Sequence, residues 1–138
     1  MTNERIARGY FQEAEGRFRH LGAFLADKRF ATVVREAQEV VELLLKAALR
    51  FVGIEPARTH DVSRILRENA SRFPDWFSAE IEELGRISTE LAEDRGPSFY
   101  GDETRGIPPD DLFLREDAET ALERARFVFR CCQRLLEG

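Results

Sequence analysis

His20 and His60 are the two histidines of this 138-residue chain, and they bound what it can do with a neutral base near pH 7. They lie far apart in sequence and no HExxH pair occurs, so no metal site is expected. Cys131 and Cys132 are adjacent. On a helix, neighbouring side chains point about 100° apart, so the two cannot chelate as a pair or bridge easily. One is expected to be buried and the other to sit at a helix edge. The phosphate cradles GxxxxGK[ST] and GxGxxG are absent, and so is the GxSxG nucleophile elbow. His60 precedes Asp61 in a linker, where two roles compete. Its ring could pack while satisfying a backbone carbonyl, or, beside Arg58 or Asp61, it could act as a general base or phosphate ligand. His20 follows Phe18 and Arg19 and is expected at a surface or interface. A second candidate is the stretch from Asp94 through Arg95, Phe99 and Tyr100 to Glu103. There an arginine could hold phosphate in a fork and aromatic rings could stack on a base. The competing structural reading is a turn that Phe99 and Tyr100 anchor over the end of a bundle.

The elements that must position these residues are helical. Ala7, Phe11, Ala14, Phe18, Leu21 and Leu25 recur at spacings of four and three, and Asp27-Lys28-Arg29 forms a short polar joint after them. From about Phe30 to Val52, valines, leucines and alanines cover more than half of a second helix. Its polar stripe is Arg35, Glu39, Glu42, Lys46 and Arg50, with Glu42 four residues before Lys46. Gly53 and Pro56 stop it. A short helix carries Val62, Ile65 and Leu66, with Thr59 or Asp61 as N-cap. Pro74-Asp75 opens the next helix, whose face runs through Phe77, Ile81, Leu84, Ile87 and Leu91. Gly85 inside it points to a close helix crossing. Between Gly96 and Leu112 the periodicity disappears into a long Gly/Pro loop, and a final helix starts near Arg115. No strand alternation occurs. The pattern predicts an all-α, up-and-down bundle of about five helices, one domain over residues 1–138.

Charge narrows the partners. Lys and Arg total 21 against 26 Asp and Glu, a net charge of -5, which disfavours a domain that coats nucleic acid. No apolar run approaches the ~20 residues a bilayer requires, and residues 1–10 do not read as a signal peptide, so a cytoplasmic location and no membrane partner are expected.

Three segments carry a resemblance to a known family. The second helix reads Ala37-Gln38 followed by Glu42 and Lys46, similar to an AQ-x-x-x-E-x-x-x-K core. Gly53 and Pro56 lead to His60-Asp61, similar to a G-x-x-P…HD segment. Arg95, then Tyr100-Gly101-Asp102 and later Asp117-Ala118, resemble an R-x-x-x-YGD…DA ending. In this order they resemble the HEPN family, small prokaryotic helical proteins associated with minimal nucleotidyltransferases, over nearly the whole chain. The resemblance implies a homodimer that acts with a nucleotidyltransferase partner and a nucleotide or partner site at Glu42, Lys46, His60, Arg95 and Tyr100. No cofactor is expected. Many HEPN proteins are metal-independent ribonucleases that use an R-x4-6-H motif. Here the positions that would hold its arginine are Gly53, Ile54 and Glu55 before His60, and Glu13, Ala14 and Glu15 before His20. The chain therefore reads as a non-catalytic module. The alternative is a ribonuclease toxin of a toxin-antitoxin pair with a divergent site, in which His60 is the base and Arg58 or Arg95 holds RNA phosphate.

Overall fold

A computed structural model describes residues 2–138; Met1, the first position of the expected domain, lies outside the described residues. Four long helices carry the bundle: α1 (Thr2–Phe18), α3 (Phe30–Phe51), α6 (Ile81–Tyr100) and α8 (Arg115–Glu137). Short helices fill the joints: α2 (Leu21–Ala26), α4 (Ser63–Glu68), α5 (Asp75–Ser78) and α7 (Pro109–Leu112), with a 3₁₀ turn at Ala70–Arg72. Among the described residues there is no strand, only an isolated bridge between Asp102 and Ile107. Contacts fix the directions. Arg17 near the end of α1 meets Glu36 near the start of α3, and Arg50 at the end of α3 reaches Asn3. Arg95 of α6 meets Glu39, and Cys132 of α8 meets Leu44. The long helices thus run up and down in turn, as expected.

Helix α3 is central because its apolar residues cover most of its surface. Val34, Val40, Val41, Leu44, Leu45 and Leu49 are all buried, packed with Leu21, Phe77, Leu84, Ile87, Leu91, Val128 and Leu135 from the helices around it. Burying each large aliphatic side chain contributes roughly 1.5–3 kcal/mol, which accounts for the helix forming here more than local propensity does. Its end matches the sequence reading. Gly53 has φ +86, and Gly53 N–H and Ile54 N–H donate to the carbonyls of Arg50 and Leu49, closing a left-handed C-terminal cap. Gly85 also behaves as expected: a β-carbon there would lie 3.3 Å from Ser63 Cβ and 2.9 Å from the Arg67 guanidinium, so α4 crosses α6 closely.

Four expectations require correction. The first helical pattern is broken at Arg19-His20 into α1 and α2, which lets Leu21 turn fully into the core. The pattern after Pro74 is likewise split into α5 and α6. Cys131 and Cys132 are both buried, neither at an exposed edge, and burial pushes the Cys131 thiol up to about 11. The largest correction concerns the Gly/Pro loop over 96–112. Gly96 and Pro97 lie inside α6, which continues to Tyr100. Pro97 removes one backbone donor, but tertiary contacts hold the turn. Buried Ser98 donates to the Arg95 carbonyl, Arg95 is fixed on α3, and Phe99 lies under Arg35. The true break is Gly101, with φ +71 and ψ -152, a region essentially reserved for glycine. Asp102 and Ile107 then exchange two backbone hydrogen bonds, and Pro109 opens α7.

The two glycines should respond in opposite directions. A β-carbon at Gly101 would lie 2.0 Å from the Ile107 carbonyl oxygen, so Gly101→Ala should destabilise the protein by about 2 kcal/mol or more. Gly96 has open space around its missing β-carbon, and Gly96→Ala should stabilise by about 0.5–1 kcal/mol. Urea midpoints of the two variants measure both. A destabilised Gly96→Ala would show that the last turn of α6 is not helical.

Candidate functional site

The polar stripe of α3 builds the site. Gln38, Glu42 and Lys46 follow at intervals of four, so they stack along one line of the helix. Gln38 is only 2 % exposed, and a buried amide demands partners on both its oxygen and its nitrogen. Its Nε2 donates to Glu42 Oε1 at 2.9 Å, and its Oε1 accepts from Arg95 at 2.6 Å. The same Arg95 nitrogen donates to Glu39 at 2.9 Å. Glu42 collects three donors: Gln38 and His60 Nδ1, the latter at 2.7 Å, on Oε1, and Lys46 at 2.8 Å on Oε2. Burial pushes the Glu42 carboxyl upward, but hydrogen bonds from Lys46, Gln38 and His60 outweigh it and hold the group below the usual range. One continuous network therefore runs from Arg95 through Gln38 and Glu42 to His60 and Lys46.

The dipeptide His60-Asp61 points in two directions. His60 faces α3, while Asp61 turns to α6. Asp61 Oδ1 accepts from the Ser63 N–H at 2.9 Å and from Ser88, and Oδ2 accepts from Thr89 at 2.9 Å. Burial raises the Asp61 carboxyl, yet the donors of Ser63, Thr89 and Ser88 bring it below the usual value. Ser88 also accepts from the Val62 N–H. The linker is thus fastened at consecutive residues to two different helices; neither Thr59 nor Asp61 is the N-cap expected for α4, which is Val62, and Asp61 accepts from the Ser63 N–H from one residue further out.

The structure brings Glu42, Lys46 and His60 into direct contact and joins Arg95 to them through Gln38. It leaves Tyr100 apart: the residue is 68 % exposed, and its aromatic neighbour is Phe99. Phe99 in turn lies under the guanidinium groups of Arg35 and Arg95. Arg95 and Tyr100 therefore stand on a helix, not in the loop or turn read from the sequence. His60 is bonded to a carboxylate, not to a backbone carbonyl. Gln38 was visible within the family-like motif but not as a site residue; its signal was an amide on the margin of the most apolar helix. Ser88 and Thr89 gave no signal, because nothing in sequence ties them to Asp61. Burial first, then the charge of Asp117, raise the carboxyl of Asp94.

Chemically, a carboxylate on Nδ1 fixes which imidazole nitrogen carries the proton, so a neutral His60 presents Nε2 as its acceptor. The ring is half exposed, which leaves that nitrogen open to a ligand. Among the described residues, no group of three or more His, Cys, Asp or Glu side chains could hold a metal ion.

The depressed Glu42 carboxyl has a definite pH signature. A folded-state pKa below the ordinary 4.5 gives stability that is fully present above that pH and lost as pH falls through the folded value. Glu42→Gln should cost about 1 kcal/mol at pH 7, because the cluster's outer edge is screened by solvent, and should flatten the acid limb of the stability curve. Urea unfolding at pH 3 to 7 measures both. An acid limb as steep in the variant as in the native protein would place the stabilising carboxylate elsewhere.

No curated protein and no solved structure matches the chain. The family model described as HEPN domain matches residues 7–135, nearly the whole length, and takes in the Gln38–Glu42–Lys46 stripe, His60-Asp61 and the Arg95 segment. The chain belongs to the HEPN family.

Proposed function

We propose that this chain is a non-catalytic HEPN module that pairs with a second copy of itself and with a separately encoded minimal nucleotidyltransferase, and that it binds nucleotide. The observation that carries the non-catalytic part is the engagement of its polar groups. Arg95 donates to Gln38 and Glu39, and His60 and Lys46 both donate to Glu42. A ribonuclease of this kind needs a base and a guanidinium free to face one phosphate, and neither histidine has an arginine at the R-x4-6-H spacing. Self-association is supported by family membership and by large apolar side chains left on the surface, Phe99, Tyr100 and Leu114, which flank the turn between α6 and α8. No helix among the described residues is long and apolar enough to cross a membrane.

One observation favours the second reading, a ribonuclease with a divergent site. Arg95 and His60 belong to the same network, separated by Gln38 and Glu42 alone. His60 Nε2 would then act as the base and Arg95 would swing from Glu39 to the scissile phosphate.

The two readings separate in one assay. Incubated with RNA in the presence of a chelator, the purified protein should leave the RNA intact, and light scattering at micromolar concentration should give twice the chain mass. Cleavage that disappears in His60→Ala would establish the ribonuclease instead. A monomer mass would remove the self-pairing.

A further inference from the structure

Beyond the network, the end of α3 opens onto a pocket of about 460 Å³, lined by Tyr10, Lys46, Arg50, Glu55, Pro56, Ala57 and Arg58. That volume falls in the ~300–1,000 Å³ range of small-ligand sites. Three cationic side chains meet in it although the chain as a whole is acidic. Glu55 supplies the one carboxylate of the lining, and it is exposed and 3.9 Å from Arg50, beyond hydrogen-bond distance. Tyr10 is the one aromatic ring of the lining.

Arg50 carries the argument. Its Nε is buried and has no hydrogen-bond partner among the described residues. Its remaining contact on Nη1 is a long 3.4 Å bond to Asn3. That enclosed nitrogen is beyond a ligand's reach, so the donors Arg50 can offer to the pocket are its terminal nitrogens, neither of which has a protein partner closer than 3.4 Å. Lys46 is held by Glu42 through one of its three N–H donors, so the ammonium is aimed while two donors stay available. Arg58 is exposed in the lining, delivered there by the segment that ends in the anchored His60-Asp61.

We propose that this pocket holds the phosphate groups of a small phosphorylated ligand, with Arg50, Arg58 and Lys46 donating to phosphate oxygens. The proposal deepens the nucleotide part of the function above and rests on it. It moves the phosphate site from Arg95, whose guanidinium is engaged, to the other end of the stripe. Guanidinium forks match phosphate geometry, and a dense anion is the acceptor that three converging cations favour.

Titration calorimetry with ATP, inorganic tripolyphosphate and adenosine tests it. ATP and tripolyphosphate should bind and adenosine should not, with binding weakening as salt rises. Arg58→Ala, which lies in an exposed segment, and Arg50→Met, which keeps the aliphatic stem, should each weaken ATP binding about tenfold or more, while Arg64→Ala on exposed α4 should not. Unchanged ATP affinity in both pocket variants would overturn this site while leaving nucleotide binding standing. Absence of binding by ATP and tripolyphosphate alike would overturn both. Equal loss in Arg64→Ala, or adenosine binding as tightly as ATP, would show that the pocket does not read phosphate.

Discussion

A buried amide and a half-buried carboxylate on the most apolar helix are the constraint on which the rest of this fold depends. Gln38 and Glu42 lie within α3 where valine and leucine would otherwise continue, and each polar atom left unpaired there would cost roughly 1–3 kcal/mol. The partners come from elsewhere in the chain: Arg95 from α6, His60 from the linker before α4. Apolar packing alone would permit α6 to slide along α3 with little penalty. The Arg95–Gln38 and Arg95–Glu39 bonds permit one register. Register in turn places Phe99 under Arg35 and sets where α6 must end.

The same logic explains the linker. Between α3 and α4, Val52, Ile54 and fully buried Val62 pack on the core, but the stretch from Glu55 to Asp61 has little apolar surface to bury. That stretch is held by two polar, consecutive anchors, His60 on Glu42 and Asp61 on Ser88 and Thr89, which tie it to α3 and α6 at one place beside buried Val62. From that point back to Gly53 the chain must run beside the end of α3. That path is what carries Glu55, Pro56 and Arg58 over Lys46 and Arg50.

The sequence made the helices legible where one physical term dominated. The apolar coverage of α3, the Gly53 stop, the close crossing at Gly85 and the start of α8 near Arg115 all follow from burial or from backbone conformation within a few residues. It misled where local and tertiary terms disagreed. Gly96 and Pro97 are weak helix formers, yet α6 passes through them because Arg95, Ser98 and Phe99 are held from outside the segment. Among the site residues, the Glu42–Lys46 pair was readable because it is four residues apart on one helix. Contacts between His60 and Glu42, or Arg95 and Gln38, join residues far apart in sequence; the family resemblance grouped His60, Glu42 and Arg95, and nothing in the sequence marked Gln38 as the link.

Net charge and local charge have to be kept separate in this protein. A charge of -5 is a statement about the far field, which at physiological ionic strength is screened beyond about 8 Å. Within that distance the arrangement of neighbours decides. Along the α3 stripe the acidic residues are each matched: Glu39 by Arg95 and Arg17, Glu42 by Lys46 and His60. Neutralisation weakens down the helix until it reaches Arg50, whose carboxylate neighbour, exposed Glu55, stands 3.9 Å away and whose buried Nε remains unpaired. An acidic protein can therefore disfavour an extended polyanion, which must lie along many acidic side chains, and still hold a compact one where cations gather. That distinction favours a small phosphorylated ligand over an RNA strand as the species this surface accepts.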